Sequence, residues 1–158
     1  MDHANVFHKL RQLNIRINWK RFKEIIAQDN ILIGALMYMG VYSHIFRKKK
    51  KFLEYLERAG YVLRYGPIEI SQDGKRFQRD IDELISREMV ELAKDWDAFD
   101  CGIVVSGDNV FLKVAQQLKA LQKEIVVWSF KSLLSRELRE NANEVHYIDD
   151  ILDEITAS

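Results

Sequence analysis

Residues 101–108 read Cys-Gly-Ile-Val-Val-Ser-Gly-Asp. An apolar run that ends in Ser106-Gly107-Asp108, followed by the amphipathic stretch Phe111 to Leu121, predicts a buried strand, a tight turn and a helix with a carboxylate at its start. In parallel α/β sheets, ligands bind just beyond the carboxyl ends of the strands. Asp108 therefore stands where such folds do chemistry. Asp is also a favoured N-cap, and the residues alone leave both roles open. Carboxylates gathered at such a point would repel one another and be relieved by a cation. Basic surface nearby would suit a polyanion.

The charge along the chain is distributed as that chemistry requires. The 158 residues carry 24 Lys and Arg against 24 Asp and Glu, a formal net charge of zero. The balance is nonetheless segregated. Residues 1–26 and 43–79 are predominantly basic, whereas 80–110 and 137–158 are predominantly acidic. For any single run the plain alternative is a solvated helix face. Length and a 47% hydrophobic content predict one soluble domain with a real core. The single cysteine, Cys101, excludes an internal disulfide and fits a reducing compartment, so the expected location is the cytoplasm. Its place at the head of an apolar strand predicts a buried small hydrophobe. No signal-peptide pattern is seen, and the longest apolar stretch, Ile31 to Tyr42, is too short to span a membrane.

The elements that must position Asp108 follow from periodicity and punctuation. Helices are predicted over Asn5 to Leu13, Trp19 to Gln28 with Asn18 as cap, Phe46 to Ala59 with Gly60 as stop, Ile81 to Ala93, Asn109 to Leu121 and Ser135 to Ala142. Strands are predicted within Ile31 to Tyr42 and over Tyr61 to Tyr65, Gly102 to Val105, Glu124 to Ser129 and Val145 to Ile148. Residues 68–77 read as a loop or an irregular hairpin. Strands alternating with helices predict a single three-layer α/β/α domain with a mostly parallel central sheet. A domain of this type ordinarily opens on an apolar strand, whereas here Met1-Asp2-His3-Ala4-Asn5 leads directly into a helix. Either the natural reading frame begins upstream of Met1, or the sheet lacks its usual first strand.

Three motifs in order carry a resemblance. Asp2-x-x-Asn5 before a helix, Arg79-Asp80-Ile81-Asp82 opening another, and Ser106-Gly107-Asp108 after a strand resemble the NYN domain. That domain is a branch of the PIN-like ribonuclease superfamily that includes LabA-like proteins. The tail, from Ser135-Arg136-Glu137-Leu138-Arg139 to Tyr147-Ile148-Asp149-Asp150, is similar to that family's end. The resemblance extends over essentially the whole chain, apart from the first strand. It implies a PIN-like, Rossmann-like fold whose carboxylates hold Mg²⁺ or Mn²⁺ and hydrolyse RNA phosphodiester bonds. The residue types suit that chemistry, because Mg²⁺ is a hard cation that takes oxygen ligands. A bound metal can sharpen a water into a nucleophile and neutralise charge on a leaving phosphate oxygen.

By that resemblance, Asp2, Asp82 and Asp108 are candidate metal ligands, and with Asn5 they form the candidate catalytic set. Each also has a plain structural role: helix capping for Asp2, Asn5 and Asp108, and a favourable first-turn charge for Asp82. Two departures from the family pattern stand out. Glu88 occupies the place of a further acid, with a longer arm, and is by the resemblance a further candidate metal ligand or else an ordinary exposed helix residue. Val110 replaces a second Asp and cannot ligate a metal, which should weaken metal affinity; Asp80 lies near. The basic run Arg47 to Lys51, with Lys48, Lys49, Lys50 and Lys51, and the cluster of Lys75, Arg76 and Arg79 form a candidate track for RNA phosphates, or else a solvated helix end. Phe46, Phe52 and Tyr55 read as core. The competing readings are a fold that binds RNA or a protein partner without cleaving it and, more remotely, a receiver-like or phosphatase-like module using Asp108. Glycine-rich phosphate loops, zinc patterns and a Ser-His-Asp arrangement are not found.

Overall fold

A computed structural model of the chain describes residues 1–40, 43–66, 68–70, 73, 76–78, 81–95 and 97–157. The predicted helices form, with ends that differ from the expectation by no more than three residues. Helix α1 (His3–Gln12) starts two residues earlier than its apolar spacing suggests, because the Asp2 carboxylate accepts from the amides of Ala4 and Asn5. Helix α2 (Trp19–Ala27) is capped by Asn18, whose side chain accepts from the Arg21 amide. Both bury residues at three- and four-residue spacing, Val6 and Leu10 in one and Trp19, Phe22 and Ile26 in the other.

Strand β1 (Leu36–Gly40) is shorter than the apolar run around it. Residues 31–35 are not strand, and Ile31 and Ile33 are 92% and 69% exposed, which corrects the expectation of a buried strand from residue 31. Helix α3 (Ser43–Arg58) ends at Gly60, whose φ of 84° is the left-handed conformation a helix stop requires. Strand β2 (Val62–Gly66) follows and pairs parallel to β1, Leu36 opposite Val62. The segment left open between loop and hairpin is a short antiparallel pair, β3 (Ile68–Ile70) with β4 (Arg76–Gln78).

Helix α4 (Ile81–Lys94) leads to β5 (Cys101–Val105). The expected helix over 109–121 divides into a 3-10 turn, Asn109–Phe111, and α5 (Leu112–Ala120). Strand β6 (Glu124–Ser129), α6 (Arg136–Asn141) capped by Ser135, β7 (Glu144–Tyr147), a second 3-10 turn and α7 (Leu152–Ile155) complete the order. Strands β5, β6 and β7 form a parallel sheet with β6 in the middle.

The two parallel sheets are joined through the first two residues of the chain. The Met1 ammonium donates to the Leu36 carbonyl at 2.9 Å, and the Tyr38 amide donates to the Met1 carbonyl at 3.0 Å. On the other side the Asp2 amide donates to the Val105 carbonyl at 3.2 Å. Met1 and Asp2 thus lie between β1 and β5, in the order β2, β1, Met1-Asp2, β5, β6, β7. One face of this composite sheet packs on α1, α2 and α3 through Met37, Met39, Leu56, Val105 and Phe130. The other packs on α4, α5 and α6 through Tyr38, Ile85, Val104, Leu118 and Leu138. The outcome is the expected three-layer α/β/α architecture. Cys101 is half-buried rather than buried, and burial of its thiol raises its pKa. Phe52 packs against the core as expected, while the side chain of Phe46 lies outside the described residues. Among the described residues, no helix is long and apolar enough to cross a membrane.

Candidate functional site

Asp2 ends the Met1-Asp2 link and is 8% exposed. Its Oδ1 accepts from the Ala4 and Asn5 amides at 3.0 and 3.2 Å, and its Oδ2 from the Ser106 hydroxyl at 3.3 Å. Burial raises its carboxyl pKa, while the Asn5 amide, the Met1 ammonium, Ser106 and the Ala4 amide all oppose the rise. The Met1 ammonium is itself buried, and desolvation lowers it to about 5 against the attraction of Asp2.

Ser106 is fully buried and ties Asp2 to the next acid, because the Asp108 amide donates to its Oγ at 3.4 Å. Asp108 itself is exposed. Its Oδ1 accepts from the Val110 amide at 3.1 Å, so it caps the 3-10 turn. Capping uses one lone pair of Oδ1 and leaves the other acceptor positions of the carboxylate available. The backbone holding Asp108 is fixed by Gly107, whose carbonyl accepts from the Ser135 amide at 2.9 Å.

Asp82 lies in the first turn of α4, where the helix dipole favours a carboxylate. It is half-buried. Burial, then the charges of Asp2 and Asp108, lift its pKa from 3.8 to about 6. The acids at the chain start and at the end of β5 thus both act on Asp82 at the α4 N-terminus.

Glu88 is engaged in a different contact. Its carboxylate accepts from the Tyr38 hydroxyl at 2.7 Å and the Arg64 Nε at 3.1 Å. Six residues along a helix turn a side chain about 120° away from Asp82. Tyr38 and Arg64 had no signal in the sequence beyond strand position. Ser106 could have been found as the residue two before Asp108. Asn5 sits half-buried in the first turn of α1, and its backbone amide makes the contact to Asp2. Val110 is 41% exposed beside Asp108.

Of the basic candidates, Lys49, Lys50 and Lys51 lie on α3. Lys49 Nζ stands 5.1 Å from the Phe7 ring centre on α1, and Lys50 lies 3.7 Å from Glu54. Burial, followed by the Lys49 and His8 charges, lowers His3 to about 4, so His3 is neutral beside Asp2. The basic end of α3 thus packs near the helix that Asp2 caps. Lys48 belongs to α3 and Arg76 to β4. Lys75, Arg79 and Asp80 lie outside the described residues.

Among the described residues, no three His, Cys, Asp or Glu side chains are grouped tightly enough to hold a metal ion. The donor chemistry nonetheless fits a hard divalent cation, which keeps several waters and needs only one or two carboxylates. Burial is the larger cause of the raised Asp82, and the charges of Asp2 and Asp108 add a repulsion that such an ion would relieve. This gives a pH prediction. Between pH 3.8 and about 6 the folded chain keeps a proton on Asp82 that the unfolded chain has lost. That contribution to stability is therefore full below 3.8 and lost as pH rises through about 6. A cation competes with the same proton. Millimolar Mn²⁺ should raise Tm clearly at about pH 8 and hardly at about pH 5, and equal gains at both would count against Asp82 as a ligand.

Residues 1–150 match the family model described as the NYN domain. Among curated proteins, none matches the chain. A crystal structure of a protein of unknown function, VPA0982 from Vibrio parahaemolyticus RIMD 2210633, has a TM-score of 0.81 at 23% identity, covering 98% of this chain and 91% of that one. That likeness shows the fold alone. A PLP-bound chain from Clostridium difficile 630, with a TM-score of 0.31 at 10% identity over 83% of this chain and 38% of that one, bears no argument. With the family model spanning 150 of its 158 residues, the chain belongs to the NYN domain family.

Proposed function

We propose that the protein is a metal-dependent ribonuclease of the LabA-like branch, acting on RNA in the cytoplasm as a single NYN domain. The observation that carries this reading is that the charges of both Asp2 and Asp108 reach Asp82 and, after burial, help to raise it, in a chain of a family related to PIN-like nucleases. Asp2, Asp82 and Asp108 would hold Mg²⁺ or Mn²⁺, which when bound lowers the pKa of a water and screens charge on the leaving oxygen.

The chain's own groups supply the rest. Asp82, raised to about 6, would give up its proton near neutral pH and so be free to hold the cation. Ser106 and the α1 amides hold Asp2 in one orientation. Asn5, in the first turn of α1, would contact a phosphate. Lys49, Lys50 and Lys51, with Lys48, offer charge to the RNA backbone, and Arg76 and Arg79 would extend that track.

A second reading, RNA or protein binding without cleavage, is favoured by Val110 and by the engagement of Glu88 with Tyr38 and Arg64. One experiment separates them: labelled single-stranded RNA incubated with the protein in Mn²⁺ and in Mg²⁺, with Asp108→Asn and a chelator as controls. Cleavage lost in both controls supports the nuclease. RNA retention without cleavage supports the second reading.

A further inference from the structure

A cavity of about 750 Å³ opens between α1, the start of α2 and α3, and none of the three acids lines it. Sites that hold one small molecule measure roughly 300–1,000 Å³. Its floor is apolar and buried: Leu10 of α1, Ile17 and Trp19. Its walls are rings, Phe7 of α1 with Phe52 and Tyr55 of α3. Phe52 and Tyr55 pack on the core, and Phe7 stacks on His3 with ring centres 4.9 Å apart. All three are only half-buried, so each keeps surface for an occupant.

The rim is cationic. Arg11 and Arg16 line it, both exposed, and among the described residues neither is held in an ion pair. No described Asp or Glu lines the cavity, although the chain has 24 of them. A planar guanidinium takes a phosphate bidentately. Asn18 also lines the cavity. Its Oδ1 is taken by the Arg21 amide at 3.1 Å and the Tyr55 hydroxyl at 3.2 Å, so what it can offer is its NH₂, a donor for a base carbonyl or ring nitrogen. Rings for base faces and cations for the backbone are the parts of a single-stranded nucleic-acid site. An acidic peptide would satisfy the arginines and leave the rings without a stacking partner. The cavity is also continuous with the basic run of α3. Lys51 stands one turn before Tyr55, and Lys49 Nζ lies 5.1 Å from the Phe7 ring centre. His3, on which Phe7 stacks, is the neighbour of Asp2.

We propose that this cavity is a second RNA contact, a base pocket that seats one nucleotide of a single strand beside Phe7 and Tyr55, with its phosphate on Arg11 and Arg16. From there the strand would run past Lys49 towards Asp2. That path rests on the ribonuclease reading. The pocket itself needs RNA as its occupant but not RNA cleavage.

The test measures binding of a labelled single-stranded RNA of about ten nucleotides to the whole protein in a chelator, where no metal-dependent cleavage intrudes. Phe7→Leu and Tyr55→Leu each replace a ring with an aliphatic side chain, and Arg16→Gln removes a charge at an exposed position. Thermal unfolding checks the fold of each variant. The leucine variants should weaken binding about tenfold. Arg16→Gln should weaken it and reduce the slope of log affinity against log salt by about 0.7. An abasic strand should bind the wild type more weakly than ordinary RNA does, and Phe7→Leu should shrink that difference. Photo-crosslinking of a thiouridine-substituted strand to the wild-type protein should label the peptides carrying Phe7 or Tyr55, a readout that no variant's folding affects. Absence of binding, unchanged affinity in all three variants, or crosslinks confined to other peptides would overturn the proposal. Equal affinity for polyglutamate would overturn it too, by assigning the pocket to an acidic peptide. Intact cleavage beside unchanged affinity in the variants would sink the pocket and leave the ribonuclease reading standing. Crosslinking at the pocket without any cleavage would do the reverse.

Discussion

Asp2→Asn should lower metal-dependent RNA cleavage about 100-fold or more while leaving the fold in place. A bound metal contributes several kcal/mol of charge stabilisation, and losing about 3 kcal/mol of it is roughly a hundredfold in rate. Asn is as good an N-cap as Asp, so the bonds to Ala4 and Asn5 survive the change and Tm should move by no more than about 2 °C. The substitution also removes one of the two charges that lift Asp82. Asp82 should then titrate closer to an ordinary carboxyl, which side-chain carboxyl NMR can follow. Cleavage at the wild-type rate with Asp82 shifted downward would remove Asp2 from the reaction and leave it as a cap.

Gly107→Ala should be the most damaging single substitution in the loop that carries Asp108. Gly107 has no need of an unusual backbone conformation. Its constraint is contact, because a Cβ there would lie 2.6 Å from the Leu133 carbonyl carbon and would also press on the Leu133 oxygen and the Ser129 hydroxyl. Two of those atoms are backbone and cannot turn aside. Overpacking of this kind costs about 1–3 kcal/mol, or roughly 3–10 °C in Tm for a chain of this size. The strain should appear as a displaced Asp108, so metal affinity should fall as well. A variant with unchanged Tm and unchanged Mn²⁺ binding would show that the loop has slack. Gly102 makes a useful contrast. Its added Cβ would meet the Met89 methyl and Leu118 Cδ1, flexible groups that can shift, so Gly102→Ala should be milder.

The sequence made the helices and their caps legible because those signals are local. Asn18, Ser135 and Gly60 each act within a few residues of themselves. Ser106-Gly107-Asp108 was legible for the same reason. The start of β1 was not, because an apolar run does not say which of its members are covered. Ile31 and Ile33 turn out to border a groove. Glu88 read as a metal ligand through its spacing from Asp82, but helical geometry and the reach of Tyr38 and Arg64 decide where its carboxylate goes. The link from Asp2 through Ser106 to Asp108 was also beyond a linear reading. It depends on the stacking of Met1-Asp2 between two strands, and no local pattern encodes that.

The Ser106 to Asp2 hydrogen bond spans 104 positions of the chain. Contacts of that sequence separation close among the last in folding, because the loop entropy must be overcome before they contribute. During synthesis the first acid emerges early, and its partners emerge only after more than half of the polypeptide has been made. A nascent or partly unfolded chain therefore carries the separate carboxylates without their joint arrangement. Any activity that needs all three is coupled to completion of the fold, and is withheld from every incomplete form of the protein.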